Sequence, residues 1–215
     1  MTWSLNEIEA EAKKAVRGAG LPWGIAEEGA KAVRWLAANG VDALPALADL
    51  LDRHAAGEMS TAINTADAFH WRGATPLCPL LLGAAIADHA HLFAQGREIS
   101  AAPVAHPLLL VPFVARAARA AKHALALTAA GAEVVVSELG SAQGPLTALD
   151  IATADGIKCG PAAAAGPGLD HRTCQIAAID PHAWERIARY AFRTYVPASE
   201  QSRLQGAGAG AIDND

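Results

Sequence analysis

The sequence predicts an α+β protein: an N-terminal helical layer packed on an antiparallel or mixed β-sheet, with a C-terminal helix and an extended tail. Three observations lead there. Apolar residues recur at helical spacing through residues 1–57, short apolar or alternating runs dominate residues 60–180, and a well-capped helical stretch over 181–195 precedes a glycine- and alanine-rich end over 196–215. No internal repeat interrupts this order. At 215 residues and 52% hydrophobic content the chain can bury one substantial core, so residues 1–215 are read as a single domain.

The first helix is announced by Ser4 with Glu7 three residues on, a capping box in which each side chain satisfies the other's free backbone N–H. Leu5, Ile8, Ala12, Ala15 and Ala19 then share one face, and Gly18 and Gly20 end the helix. The second helix starts at Pro22, expected in its first turn, with Glu27 and Glu28 near the positive end of the dipole and Asn39-Gly40 as its stop. Ile25, Gly29, Val33 and Leu36 make its inner stripe, with Trp35 expected to be substantially buried. In the third, Asp42 is the expected cap and Leu44, Leu47, Leu50 and Leu51 point inward. Three short helices on tight glycine turns should pack as one layer.

Strands are expected in "HPLLLVPFVA", "HALALTAA", "EVVVSE", "LTALDIAT" and "TCQIAAI". "TAAGAE" and "TADGIK" look like hairpin links, the second more convincingly because Asp155-Gly156 suits a type I′ turn. "ARAARAAK" reads as a short connecting helix with Arg116, Arg119 and Lys122 on one side. The last helix has Asp180 as cap, Pro181 in its first position, and Trp184, Ile187 and Ala191 on its apolar face.

Composition narrows the function. The net charge of -5 is small and the 17 basic residues form no run longer than Lys13-Lys14, which argues against nucleic acid and against a membrane surface as partners. The longest apolar stretches are short and broken by proline, so they read as core and not as membrane spans. No secretory signal is evident, and Cys78, Cys159 and Cys174 form no C-x-x-C pair, so a cytoplasmic chain with reduced thiols is expected. Arginine outnumbers lysine and alanine is abundant, a balance that fits a GC-rich bacterial genome.

Four clusters carry chemistry. "FHWRG" sets His70 and Arg72 beside two aromatic rings in a segment of weak regular structure, where a guanidinium can grip a carboxylate with two hydrogen bonds. "GPGLDHR" offers Asp170, His171 and Arg172 as an orienting carboxylate, a base and an anion clamp. "ASEQSR" adds Ser199, Ser202 and Arg203 as ligand-binding candidates, with His70, Asp170 and His171 as the catalytic ones. The tail "GAGAGAIDND" cannot be a dinucleotide loop, because no helix follows its glycines. Ordered only by contact with surrounding protein, it would deliver Asp213 and Asp215 to a cationic partner such as Arg72 or Arg172 at the margin of a ligand pocket. His89 and His91 in "DHAH" lack a third ligand at family spacing and are read as ordinary histidines, with no metal expected.

The segments "SLNEIEAEAKKAVRGAG", "WGIAEE", "GAKAVRWL" and "TYVPASEQSRLQGAGAGAIDND" resemble those of an uncharacterised bacterial family of unknown function, over roughly residues 4–36 and 180–215. The resemblance implies no activity, but it makes the tail a family feature. "GAGLPWGIAEEGAK", "ALDIATADG" and "AIDPHAWERI" are also similar in order to segments of the malate and L-lactate dehydrogenases outside the Rossmann type. Their Asp-x-x-Gly-x-x-Ser-His-Gly segment and cofactor-loop pattern have no counterpart here. The sequence names no cofactor.

The expected function is that of a metabolic enzyme or enzyme-like protein binding a small anionic metabolite, as a homo-oligomer. A non-catalytic subunit or assembly partner of a metabolic enzyme, and a diverged NAD(P)-dependent oxidoreductase-like protein, are the alternatives. An enzyme should show a concave pocket where several of the polar candidates converge, and a subunit a flat apolar patch.

Overall fold

The computed structural model describes residues 3–61, 67, 69–162 and 177–195. Within them lie three N-terminal helices, α1 (Leu5–Gly18), α2 (Trp23–Ala38) and α3 (Leu44–Ala55). Strand β1 (His70–Leu77), helices α4 (Pro79–Asp88) and α5 (Ala90–Ala94), strand β2 (Ile99–Ala105) and helix α6 (Val111–Ala121) follow. Then come β3 (Leu125–Ala129), β4 (Ala132–Val136), β5 (Ala142–Gln143), β6 (Thr153–Ala154), β7 (Ile157–Pro161) and helix α7 (Pro181–Phe192).

The fold is α+β, with a mixed sheet in the order β1-β2-β7-β3-β4-β5 and β6 also on β2. Only β1 and β2 run parallel, which requires a crossover, and α4 with α5 supplies it. Buried residues from Ile8 to Ala191 form one continuous core. Helices α4, α5 and α6 pack on one face of the sheet, and α2 lies in turn on α4 and α6.

The helix signals translate into hydrogen bonds. Ser4 Oγ accepts from Glu7 N–H, while Glu7 Oε2 accepts from Ser4 N–H at 2.8 Å. Pro22 stands one residue earlier than expected, in the cap position before α2, and Ala43 takes the cap position of α3. Asp42 nevertheless stabilises that end, its Oδ1 accepting from Leu44 N–H, while its Oδ2 accepts from the backbone N–H of Asp180 at 2.7 Å. One carboxylate thus ties the start of α3 to the start of α7. Asp180 caps α7 as expected, by accepting from His182 N–H. Trp35 is only half-buried.

The first three helices are not a layer by themselves, because α7 packs on both α1 and α3. Its contacts are specific. Trp184 stacks on Trp3 with ring centroids 3.8 Å apart, and Asp52 of α3 accepts from Tyr190 Oη at 2.7 Å and Arg186 Nη2 at 2.5 Å. Gly18 permits the closest approach, since a Cβ there would overlap the carbonyl oxygen of Tyr190.

Several strand expectations fail for physical reasons. "HPLLLVPFVA" is a 3₁₀ turn over Pro107–Leu110 running into α6, with prolines in the first turn of each. Its first four residues are buried throughout, so periodicity carried no information there. "LTALDIAT" is a 3₁₀ turn over Leu146–Leu149 leading into the two-residue β6. In "TCQIAAI" residues 173–176 lie outside the described residues, and 177–179 have no regular structure. "FHWRG", expected in a loop, supplies the start of strand β1 instead.

The two hairpin links exchange their fates. "TAAGAE" makes the β3–β4 hairpin, with Ala130 at φ 50° and Gly131 at φ 77°, both left-handed as a type I′ turn requires. "TADGIK" makes no hairpin: β6 and β7 pair with β2 in one register, Ala105↔Thr153 and Val104↔Ala154, then Ala101↔Ile157 and Ile99↔Cys159. Asp155-Gly156 is therefore a short break in one edge-to-edge pairing. Across from it lies Pro103, which has no N–H to donate to a ladder.

Candidate functional site

The register of the sheet builds a polar row. His70, Ser100, Lys158 and Thr128 stand opposite one another on β1, β2, β7 and β3. Facing residues in a ladder point to the same side, so these four share one face. The next residue on each strand, Trp71, Ala101, Ile157 and Ala129, is buried on the helix side. Arg72, two residues beyond His70, returns to the polar face by the period of two.

This row lines a cleft of about 450 Å³, with Arg72, Ala102, the Ala130-Gly131 turn and Gly156 on its walls. Two sequence candidates, His70 and Arg72, are therefore brought into one concavity. Ser100, Thr128 and Lys158 join them, unanticipated. Each is the polar member of an alternating strand, and that alternation is the signal that could have found them.

His70 is held by Asp67, which also escaped the sequence reading. Asp67 Oδ1 accepts from the backbone N–H of Phe69 at 2.8 Å and of His70 at 3.3 Å, and its Oδ2 lies 3.0 Å from His70 Nδ1. The hydrogen bond from Phe69, and then that from His70, hold the Asp67 carboxyl below the usual carboxylate range. Trp71 Nε1 donates to the Asp67 carbonyl at 2.9 Å, anchoring the same turn to the core. The imidazole is thus oriented through Nδ1, with no partner for Nε2 among the described residues.

Charge in the cleft is only partly compensated. Lys158 Nζ lies 3.7 Å from Glu98 Oε1, an exposed pair of small energetic worth. Arg72 is exposed and makes no hydrogen bond or ion pair among the described residues. Arg97 sits outside the cleft lining, its guanidinium 4.0 Å from the centroid of the Phe69 ring.

Asp170, His171, Arg172, Ser199, Ser202, Arg203, Asp213 and Asp215 all lie outside the described residues. His89 joins α4 to α5 and His91 lies within α5, their rings 6.1 Å apart, and His89 Nδ1 lies 2.7 Å from the Ala85 carbonyl oxygen. Cys78 and Cys159 are buried, and burial pushes both thiols up, away from the reactive thiolate.

A buried polar group also went unnoticed in the sequence. His106 sits between β2 and the 3₁₀ turn with φ 41°, a left-handed backbone, and its Nε2 lies 2.7 Å from Asp49 Oδ2 on α3. Elsewhere, Trp23 is exposed beside Lys13 and Arg17, and Phe192 and Tyr195 are exposed against each other, with Lys14 over the Tyr195 ring.

Residues 3–68 match the model of a family described as "Protein of unknown function (DUF3726)". This supports the resemblance to an uncharacterised family read from "SLNEIEA" and "WGIAEE". No curated protein and no solved structure matches the chain.

Proposed function

We propose that this protein binds a small anionic metabolite in the sheet cleft, as an enzyme or an enzyme-derived protein. The observation that supports it most is the guanidinium of Arg72, without a hydrogen-bond or ion-pair partner among the described residues, beside Lys158, His70, Ser100 and Thr128 in one concavity. Arg72 would grip a carboxylate or phosphate through two parallel hydrogen bonds, with Lys158 as a second point charge. Ser100 and Thr128 supply hydroxyls that fix orientation. His70, steadied by Asp67, is the group placed to accept or donate a proton at Nε2. Asp170, His171, Arg172, Ser199, Ser202, Arg203 and the tail carboxylates remain part of the proposal from sequence alone.

The test is a thermal-shift screen of the full chain against carboxylic acids, amino acids, phosphates and NAD(P). At least one anion should raise the melting temperature, and Arg72→Ala or Lys158→Ala should weaken that ligand about ten-fold or more. An unchanged response in both variants would remove the cleft from the account.

The subunit reading draws on a different observation, the exposed Trp23, Phe192 and Tyr195. Aromatic residues among arginines and lysines are what a docking surface presents. It predicts no ligand shift at all.

A further inference from the structure

Arg116 and Arg119, set on one side of a helix by their spacing, are not used by the cleft. They line a separate crevice of about 170 Å³ between α2 and α6. Each helix contributes residues at spacing i, i+3, i+4, i+7, Glu28, Lys31, Ala32 and Trp35 from α2 and Pro112, Ala115, Arg116 and Arg119 from α6, and Phe113 lines the crevice beside them. We propose that this crevice is a second binding site, one that takes a small aromatic carboxylate.

Size and lining set the ring. A cavity near 150 Å³ holds a single benzene, and here Trp35 and Phe113 provide apolar aromatic walls. Charge sets the head group. Glu28 is shared by Lys31, whose Nζ is 3.0 Å away, and by Arg116, with which it also pairs, so one carboxylate faces three cations.

Arg119 is the cation built to receive it. Its Nε donates to the Leu139 carbonyl oxygen at 2.8 Å, and its guanidinium packs against Gly140, where any Cβ would collide with it. Both contacts fix the fork, and its two Nη groups have no hydrogen-bond partner among the described residues. A planar carboxylate matches such a fork with two parallel hydrogen bonds. The ring then lies between Trp35 and Phe113, with Lys31 at the rim.

Benzoate is the probe, measured by isothermal titration calorimetry on the full chain. It should bind saturably. Arg119→Gln should weaken it about ten-fold or more, and Lys31→Gln, at an exposed position where folding is not at stake, should weaken it by a smaller factor. The part of benzoate binding that Arg119→Gln removes should persist in Arg72→Gln, in the sheet cleft, so that failure of the cleft proposal and of this one are separable. Cyclohexanol, a ring without charge, and acetate, a charge without a ring, should each bind at least ten-fold more weakly. No saturable benzoate binding, equal affinity in Arg119→Gln and Lys31→Gln, or loss of that part in Arg72→Gln would each overturn the assignment.

Discussion

His106 is the only buried polar or charged side chain among the described residues, at 5% exposure. Burial holds its imidazole below the ordinary histidine range, outweighing the Asp49 carboxylate that favours the charged ring. Arg53 works in the same direction as burial, and Asp150 against it. As pH falls, the unfolded chain therefore takes up this proton first, near its ordinary value of about 6.5. The stability carried by neutral His106 is fully present above that value and is lost as pH falls toward the depressed folded one. Urea unfolding at about pH 7.5 and about pH 5.5 should show this loss. His106→Asn, which tolerates the left-handed backbone but does not titrate, should flatten it. An undiminished pH slope in that variant would assign the loss to other groups.

His106 also illustrates why single residues were poorly legible. Nothing in "VAHPL" distinguishes a buried histidine from a surface one, because its partner Asp49 lies 57 positions away in sequence. Lys158 was hidden similarly: its place beside Arg72 depends on β7 pairing with β2, which local sequence does not encode. His70 and Arg72 were found because they are neighbours in the chain, and they lie in the cleft for another reason, the period-two geometry of a strand not anticipated there.

At the scale of elements, α1, α2, α3 and α7 were readable from their periodicity and end signals, whereas α4 and the start of α6 were not. The Ser4–Glu7 box and the Asp180-Pro181 start stand in the structure as read. Helices α4 and α6, which begin with proline and have no side-chain cap, were obscured by continuous apolar runs. The capping box is worth measuring directly: Ser4→Ala should cost about 1 kcal/mol. Gly18→Ala should cost more, about 2 kcal/mol, because the added methyl forces α1 away from the Tyr190 carbonyl. Chemical denaturation of the two variants compares them. If Gly18→Ala is neutral, the α1–α7 contact is looser than described.

On the scale of the whole molecule, the sheet has two faces with different tasks. One is buried under α4, α5 and α6 and holds Trp71, Ile99, Leu125, Leu127, Val134 and Cys159 in the core. The other carries the polar row and the cleft. The α+β class was legible because helical and strand periods occupy different stretches of chain. The mixed sheet lies within the antiparallel-or-mixed expectation, but which strands run parallel was not legible, since the β1–β2 pair rests on a crossover, α4 with α5, that the sequence left undecided.

The seat of α7 between α1 and α3 has a consequence in time. Residues 181–192 close a layer whose other members lie in the first 55 positions, so a ribosome must synthesise nearly the whole chain before that layer can shut. Until then the surfaces bearing Gly18 and Asp52 wait without their last neighbour. A fragment ending at residue 68 should accordingly remain largely unfolded by circular dichroism. Adding a peptide of residues 177–195 should raise its helicity, and a fragment that folds cooperatively alone would show that the early helices do not wait.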